Sequence, residues 1–93
     1  MFHLTKDGFE AQVQDGVYVF ESVGCNTCKD HIKQFQNFMR DFYIVPTKED
    51  PGFFESIGIR ITPTTRIYKS GKMLWNKEGV FFDTQLDEMR KYL

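Results

Sequence analysis

The chain contains two cysteines, and they stand two residues apart in Gly24-Cys25-Asn26-Thr27-Cys28. Thiols at this spacing serve one of three ends: they cycle between dithiol and disulfide, they supply two ligands to a metal, or they pack as small buried side chains. A structural zinc site takes about four ligands, and beyond the cysteines the only histidines on offer are His3 and His31. His31 follows Cys28 by one helical turn, so these three can converge. A metal or an iron–sulfur cluster held between two copies is the other metal arrangement.

Which chemistry operates depends on the elements that hold the pair. Gly16-Val17-Tyr18-Val19-Phe20-Glu21 is a β-type run opened by glycine. After the pair, Cys28, Ile32, Phe35, Met39 and Phe42 recur at three- and four-residue steps, the apolar stripe of an amphipathic helix. The cysteines therefore belong at a strand-to-helix junction, Cys25 at or just before the helix N-terminus and Cys28 one turn inside. Unpaired N–H groups and the positive end of the helix dipole favour a thiolate at Cys25, while Cys28 packs beneath it. A thiol of pKa near 8.5 is only a few per cent thiolate at pH 7; lowering the pKa to about 7 makes it roughly half thiolate. Cys25 is thus the expected nucleophile. Cys28, on the same helical face, is the expected resolving thiol that attacks a mixed disulfide at Cys25.

The 93 residues are expected to form one domain, long enough to bury a core without disulfide staples. Fifteen aromatic side chains favour that core, because each ring buries much apolar area. Twelve Lys and Arg against thirteen Asp and Glu leave a formal net charge of -1 with no basic block, which argues against nucleic acid as a partner. The first residues carry neither a positively charged start nor a long apolar run, so the expected compartment is the cytosol, with no membrane association. There, a paired cysteine motif points to redox or metal chemistry instead of a structural staple.

Along the chain, Phe2-His3-Leu4 reads as a very short strand. Thr5 is an N-cap for a helix running to about Gln14 with Phe9 and Val13 buried, weakened by Gly8 and closed by Asp15-Gly16. A central strand spans Val17 to Glu21, almost continuously apolar as a strand covered on both faces should be. The helix bearing the cysteines ends near Asp41, and a further strand from Phe42 to Val45 stops at Pro46. Lys48-Glu49-Asp50-Pro51-Gly52 is a turn, and Phe53 to Ile57 is a short helix ended by Gly58, with Pro51 in its first turn and Phe53 and Phe54 as core. Strands Thr64 to Lys69 and Lys72 to Asn76, joined by Ser70-Gly71, form an antiparallel hairpin in which Trp75 packs on the sheet. A last helix runs from about Thr84 to Tyr92, with Asp83 as N-cap and Leu86, Met89 and Leu93 as its buried stripe. Strands alternating with helices and then a hairpin describe an α/β sheet flanked by helices on both faces.

Three blocks of residues resemble the thioredoxin family across the whole chain. They are His3-Leu4-Thr5 with Phe9; Gly24-Cys25-Asn26-Thr27-Cys28-Lys29; and the stretch from Asp50-Pro51-Gly52 through Gly58-Ile59-Arg60-Ile61-Thr62-Pro63-Thr64, Tyr68-Lys69-Ser70-Gly71 and Gly79 to Leu86. The resemblance implies an α/β thioredoxin fold with a central mixed sheet of four to five strands. It also implies a cis Thr62–Pro63 bond facing the cysteines, the kind of peptide bond for which cis is cheap. Substrate then meets Gly24, Asn26, Thr27, Thr62, Pro63 and Gly79, with the Thr62 backbone free to pair with an extended substrate strand.

The departures are equally specific. The family usually has Trp before the first cysteine and Gly-Pro between the two; here Gly24 and Asn26-Thr27 stand there. The buried acid that assists proton transfer corresponds to Val19, and its accompanying lysine to Ile44. Glu21, on the same strand face as Val19, is the nearest replacement, although a solvated strand-end carboxylate is the simpler reading. Lys33 stands where the family has a helix-kinking proline, and the helix is several residues shorter, a compact version of the kind that suits a bacteriophage or a bacterium. His31 is expected at the surface or half-buried, a weak modulator of Cys25 when charged; Lys29 is expected in solvent, recruiting partners by its charge. Arg66, on a central strand, needs a partner such as Glu21.

By this resemblance the chain is a monomeric cytosolic thiol–disulfide oxidoreductase acting on protein disulfides, with ribonucleotide reductase as one implied client. It needs no bound cofactor or metal, and a flavoprotein reductase of the thioredoxin-reductase type or a glutathione system recharges it. Without proline between the cysteines its couple is expected to be less reducing than that of typical thioredoxins. A glutaredoxin-like, glutathione-coupled enzyme is the alternative, but Val80-Phe81-Phe82-Asp83 is hydrophobic where an anion site for glutathione belongs, and Phe81 and Phe82 read as core or groove rim. A docking module that uses the Thr62-Pro63 groove without thiol turnover is the third reading, kept open by the missing acid at Val19.

Overall fold

All four side chains from Val17 to Phe20 are buried, and they alternate between two separate cores. That alternation organises the computed structural model, which describes residues 2–12, 15–22, 24–39, 41–47, 51–81 and 83–93. In chain order the elements are β1 (Phe2–His3), α1 (Lys6–Gln12), β2 (Gly16–Ser22), α2 (Asn26–Phe38), β3 (Tyr43–Thr47), α3 (Pro51–Ser56), β4 (Thr64–Lys69), β5 (Lys72–Glu78) and α4 (Asp83–Arg90). The sheet has five strands in the order β1-β3-β2-β4-β5. β1, β3 and β2 are parallel, whereas β4 runs antiparallel to both of its neighbours, β2 and β5.

Val17 and Val19 of β2 pack with Ile32 and Phe35 of α2 and with Met89 of α4 on one face. Tyr18 and Phe20 point the other way, onto Phe9 of α1 and Phe53 and Phe54 of α3. Successive strand residues face opposite sides of a sheet, so a strand covered on both faces must be apolar at every position. Thr5 caps α1 as its type predicts, its Oγ1 accepting the Gly8 N–H at 3.1 Å. Ser70 and Gly71 both take positive φ (53° and 78°), the left-handed pair that a two-residue hairpin turn requires. Gly58, at φ 79°, ends the α3 segment.

Several expectations need correction. β3 continues through Pro46 to Thr47. The carbonyls of Phe42 and Ile44 accept from β1, which places position 46 on the same side, beyond the end of β1, where no ladder bond is lost to proline. α2 stops at Phe38, with extended backbone at Met39, and the chain turns so that Phe42 returns against Phe35 at a ring separation of 4.7 Å. β5 extends beyond Asn76 to Glu78, paired with Thr64. Leu93 lies past the end of α4 and is exposed, so the buried stripe there is Leu86 and Met89.

Arg66 is buried on β4 and is satisfied by Asn76 Oδ1 at 2.8 Å and the Tyr68 hydroxyl at 3.0 Å, not by Glu21. Trp75 and Phe81 are core, packed edge to face. Val13, Gln14, Phe82 and residues 48–50 lie outside the described residues, as does the side chain of Asp83. No helix among the described residues is long and apolar enough to cross a membrane.

Candidate active site

β2 ends at Ser22, and the backbone carbonyl of Ser22 accepts the Cys25 N–H at 3.3 Å. Gly24 takes φ 76° in this turn, left-handed backbone that a side chain at that position resists. Cys25 is then the N-cap of α2, with extended φ and ψ of -81° and 98°. Its carbonyl accepts the Lys29 N–H, and its Sγ accepts the Cys28 N–H at 3.1 Å. The sulfur thus fills the place that a serine or aspartate oxygen takes at ordinary helix starts, satisfying one of the orphan N–H donors of the first turn. Cys28 is fully buried one turn inside, its Cα 5.2 Å from that of Cys25, and the two sulfurs are joined as a disulfide. Among the described residues no cluster of metal-ligating side chains occurs.

The second wall of the site arrives from the other side of the sheet. Thr62–Pro63 is a cis peptide, and the Pro63 carbonyl is held by the Gly79 N–H at 2.8 Å. Thr62 meets the cysteine through two atoms: its Oγ1 lies 3.9 Å from Cys25 Sγ and its carbonyl oxygen 4.0 Å. The same Oγ1 is hydrogen-bonded to Ser22 Oγ at 2.7 Å. Gly24, Asn26 and Thr27 are exposed on the mouth formed by these segments, Cys25 and Thr62 are half-buried, and Pro63 is buried.

The remaining candidates sit elsewhere. Lys29 is exposed as expected, and Glu21 is half-buried near the end of β2 opposite Pro46. Among the described residues, the hydrogen-bond contacts at the Cys25 sulfur come from Cys28 and Thr62, not from Glu21 or Lys29. His31 is a correction: it is 2% exposed, with Nε2 3.3 Å from Thr65 Oγ1 and its ring edge-on to Phe81. Burial lowers its pKa to about 4, so at neutral pH it is an uncharged core residue and not a modulating charge. Positions 28, 31, 32 and 35 form an i, i+3, i+4, i+7 set, and including the histidine in that stripe would have foretold its burial. Ser22 escaped notice because nothing local distinguishes its hydroxyl; the partner is forty residues away.

No family model and no curated protein matches the chain. Solved structures do. Spinach chloroplast thioredoxin f, short form, superposes with a TM-score of 0.82 at 19% identity over 97% of this chain and 90% of that one. The thioredoxin of Malassezia sympodialis gives 0.79 at 20% identity over 99% and 89% of the two chains. The thioredoxin of Fasciola hepatica gives 0.79 at 18% identity over 99% and 98%. With TM-scores of 0.79 to 0.82 over nearly the whole chain, the chain has the thioredoxin fold.

Proposed function

We propose that this protein is a thiol–disulfide oxidoreductase of the thioredoxin family that reduces protein disulfides, with Cys25 as nucleophile and Cys28 as resolving thiol. The observation that carries the reading is the N-cap position of Cys25, whose Sγ accepts the Cys28 N–H across a closed Cys25–Cys28 pair. A thiolate placed there keeps that hydrogen bond and faces the positive end of α2, which favours the reactive form.

In the reduced protein the Cys25 thiolate attacks one sulfur of a substrate disulfide. A Cys25–substrate bond forms, the substrate S–S bond breaks, and the leaving thiolate takes a proton from water. Cys28 then loses its proton to solvent and attacks Cys25 Sγ. The Cys25–Cys28 disulfide forms, the second substrate thiolate departs, and two electrons have passed to the substrate. Gly24, Asn26, Thr27, Thr62, Pro63 and Gly79 frame the groove in which an extended substrate segment lies, pairing with the Thr62 backbone. Two electrons from a flavoprotein reductase or from glutathione restore the dithiol, and no bound cofactor enters the cycle. The fold acts as one domain, 1–93, in a monomer in the cytoplasm, with ribonucleotide reductase one client to try. Phe81, committed to the core against His31, Phe35 and Trp75, favours a protein disulfide over glutathione as the substrate of this groove.

The test is reduction of insulin's interchain disulfides, followed by turbidity with dithiothreitol as electron donor. Cys25→Ser should return the rate to the dithiothreitol background. Reduced Cys28→Ser, freed of dithiothreitol before insulin is added, should accumulate a mixed disulfide with insulin through Cys25. A Cys25→Ser protein as active as wild type would overturn the reading.

A further inference from the structure

Ser22 touches the active site twice. Its backbone carbonyl holds the Cys25 N–H at 3.3 Å, and its hydroxyl lies 2.7 Å from Thr62 Oγ1. Thr62 in turn presents two opposed groups to Cys25 Sγ: an O–H at 3.9 Å that can donate, and a C=O at 4.0 Å that can only accept. The first favours a thiolate, the second a protonated thiol, because hydrogen bonds stabilise whichever protonation state they complement.

The Ser22–Thr62 bond decides between them. Its geometry permits either oxygen to donate. If Thr62 donates to Ser22, its only proton is used and sulfur is left facing lone pairs and a carbonyl. If Ser22 donates to Thr62, the threonine proton is free for sulfur, and the two bonds polarise each other in the same sense. A negative sulfur selects the second arrangement, and a hydrogen bond to an ionised acceptor is shorter and stronger than to a neutral one. When Cys25 is in the disulfide the sulfur is a weak acceptor, consistent with the long 3.9 Å approach.

We propose that Ser22 is a positioning residue for Cys25, directing the Thr62 hydroxyl onto the thiolate as a second donor beside the Cys28 N–H. This rests on the oxidoreductase reading and adds to it a side chain that acts on the sulfur through Thr62. It also supplies an electrostatic aid where Val19 and Ile44 leave no buried acid and lysine. The thiolate forms by loss of the Cys25 proton to solvent, so no further reactant is involved.

The test uses the intact reduced protein and site-resolved alkylation of Cys25 by iodoacetamide from pH 5 to 9. Loss of the partner that orients and polarises the Thr62 O–H should lower the Cys25 rate at pH 6 about three- to tenfold in Ser22→Ala and move the midpoint to higher pH. Thr62→Val, which removes the donor itself, should do at least as much, and the double variant should do no more than Thr62→Val, since Ser22 acts only through Thr62. Ser22→Thr, which keeps the hydroxyl, should restore the wild-type midpoint, and circular dichroism checks that each variant is folded. An unmoved midpoint in Ser22→Ala, or additive effects in the double variant, would overturn the role of Ser22 alone. A wild-type Cys25 with an ordinary thiol midpoint and no intramolecular disulfide would overturn the oxidoreductase reading and this inference together.

Discussion

Val19 of β2 is the register partner of Ile44 of β3 in the parallel ladder, and both side chains are buried on the α2 face of the sheet. The resemblance to thioredoxins assigns an acid to the first position and a lysine to the second. Neighbours in the fold, they are both apolar here and belong to one core. Removing one partner of a buried ion pair leaves an uncompensated charge, whereas replacing both by hydrophobic residues is often neutral or stabilising.

Restoring only the acid should therefore harm the protein. Val19→Asp is expected to cost about 3 kcal/mol or more at pH 7, where the buried carboxylate has no cation. Its folded pKa lies above its unfolded value, so the charge-dependent part is absent below about pH 4 and grows as pH rises toward the folded pKa. Urea unfolding of Val19→Asp and Val19→Asn at pH 4.5 and pH 8 measures it. The difference between the two variants should widen with pH, and a constant difference would show that the carboxylate escapes to water.

His31 sets a pH dependence of its own. Its pKa is lowered by burial from 6.5 to about 4. The unfolded chain therefore binds the His31 proton between these values while the folded one does not, so stability is complete above about pH 6.5 and declines as pH falls toward 4. At the 1.36 kcal/mol that each pKa unit carries, the decline from this one residue is roughly 3 kcal/mol by pH 4. Denaturant titrations of wild type and His31→Leu isolate it from the carboxylates that titrate nearby. The slope between pH 6.5 and 4.5 should flatten in His31→Leu; an equal slope would place the effect elsewhere.

Stabilising the Cys25 thiolate stabilises the reduced protein, and so makes the couple less reducing. With the Cys28 N–H and the Thr62 O–H both directed at that sulfur, the Cys25–Cys28 potential is expected above the value of about −270 mV typical of thioredoxin. Equilibration with glutathione buffers, quenched by alkylation and read by mass, gives the number. A potential at or below the thioredoxin value would show that donors at Cys25 are outweighed by the stability of the disulfide form.

Local pattern carried much of the molecule. The Val17 to Phe20 run named the central strand because a strand covered on both faces has no position left for a polar side chain. The three- and four-residue spacing after Cys28 named the helix, since that period lays apolar side chains along one helical face. Cys25 as an N-cap followed from that junction alone. Other features belong to pairs of residues that the chain brings together from a distance. Ser22 with Thr62, His31 with Thr65 and Arg66 with Asn76 are each a hydrogen bond across elements, and a side chain's partner is not encoded in its own neighbourhood. The length of β3 past Pro46 was decided the same way, by where β1 ends and which ladder bond proline is spared. Sequence periodicity determines which face a residue takes; only the closed sheet determines what that face meets.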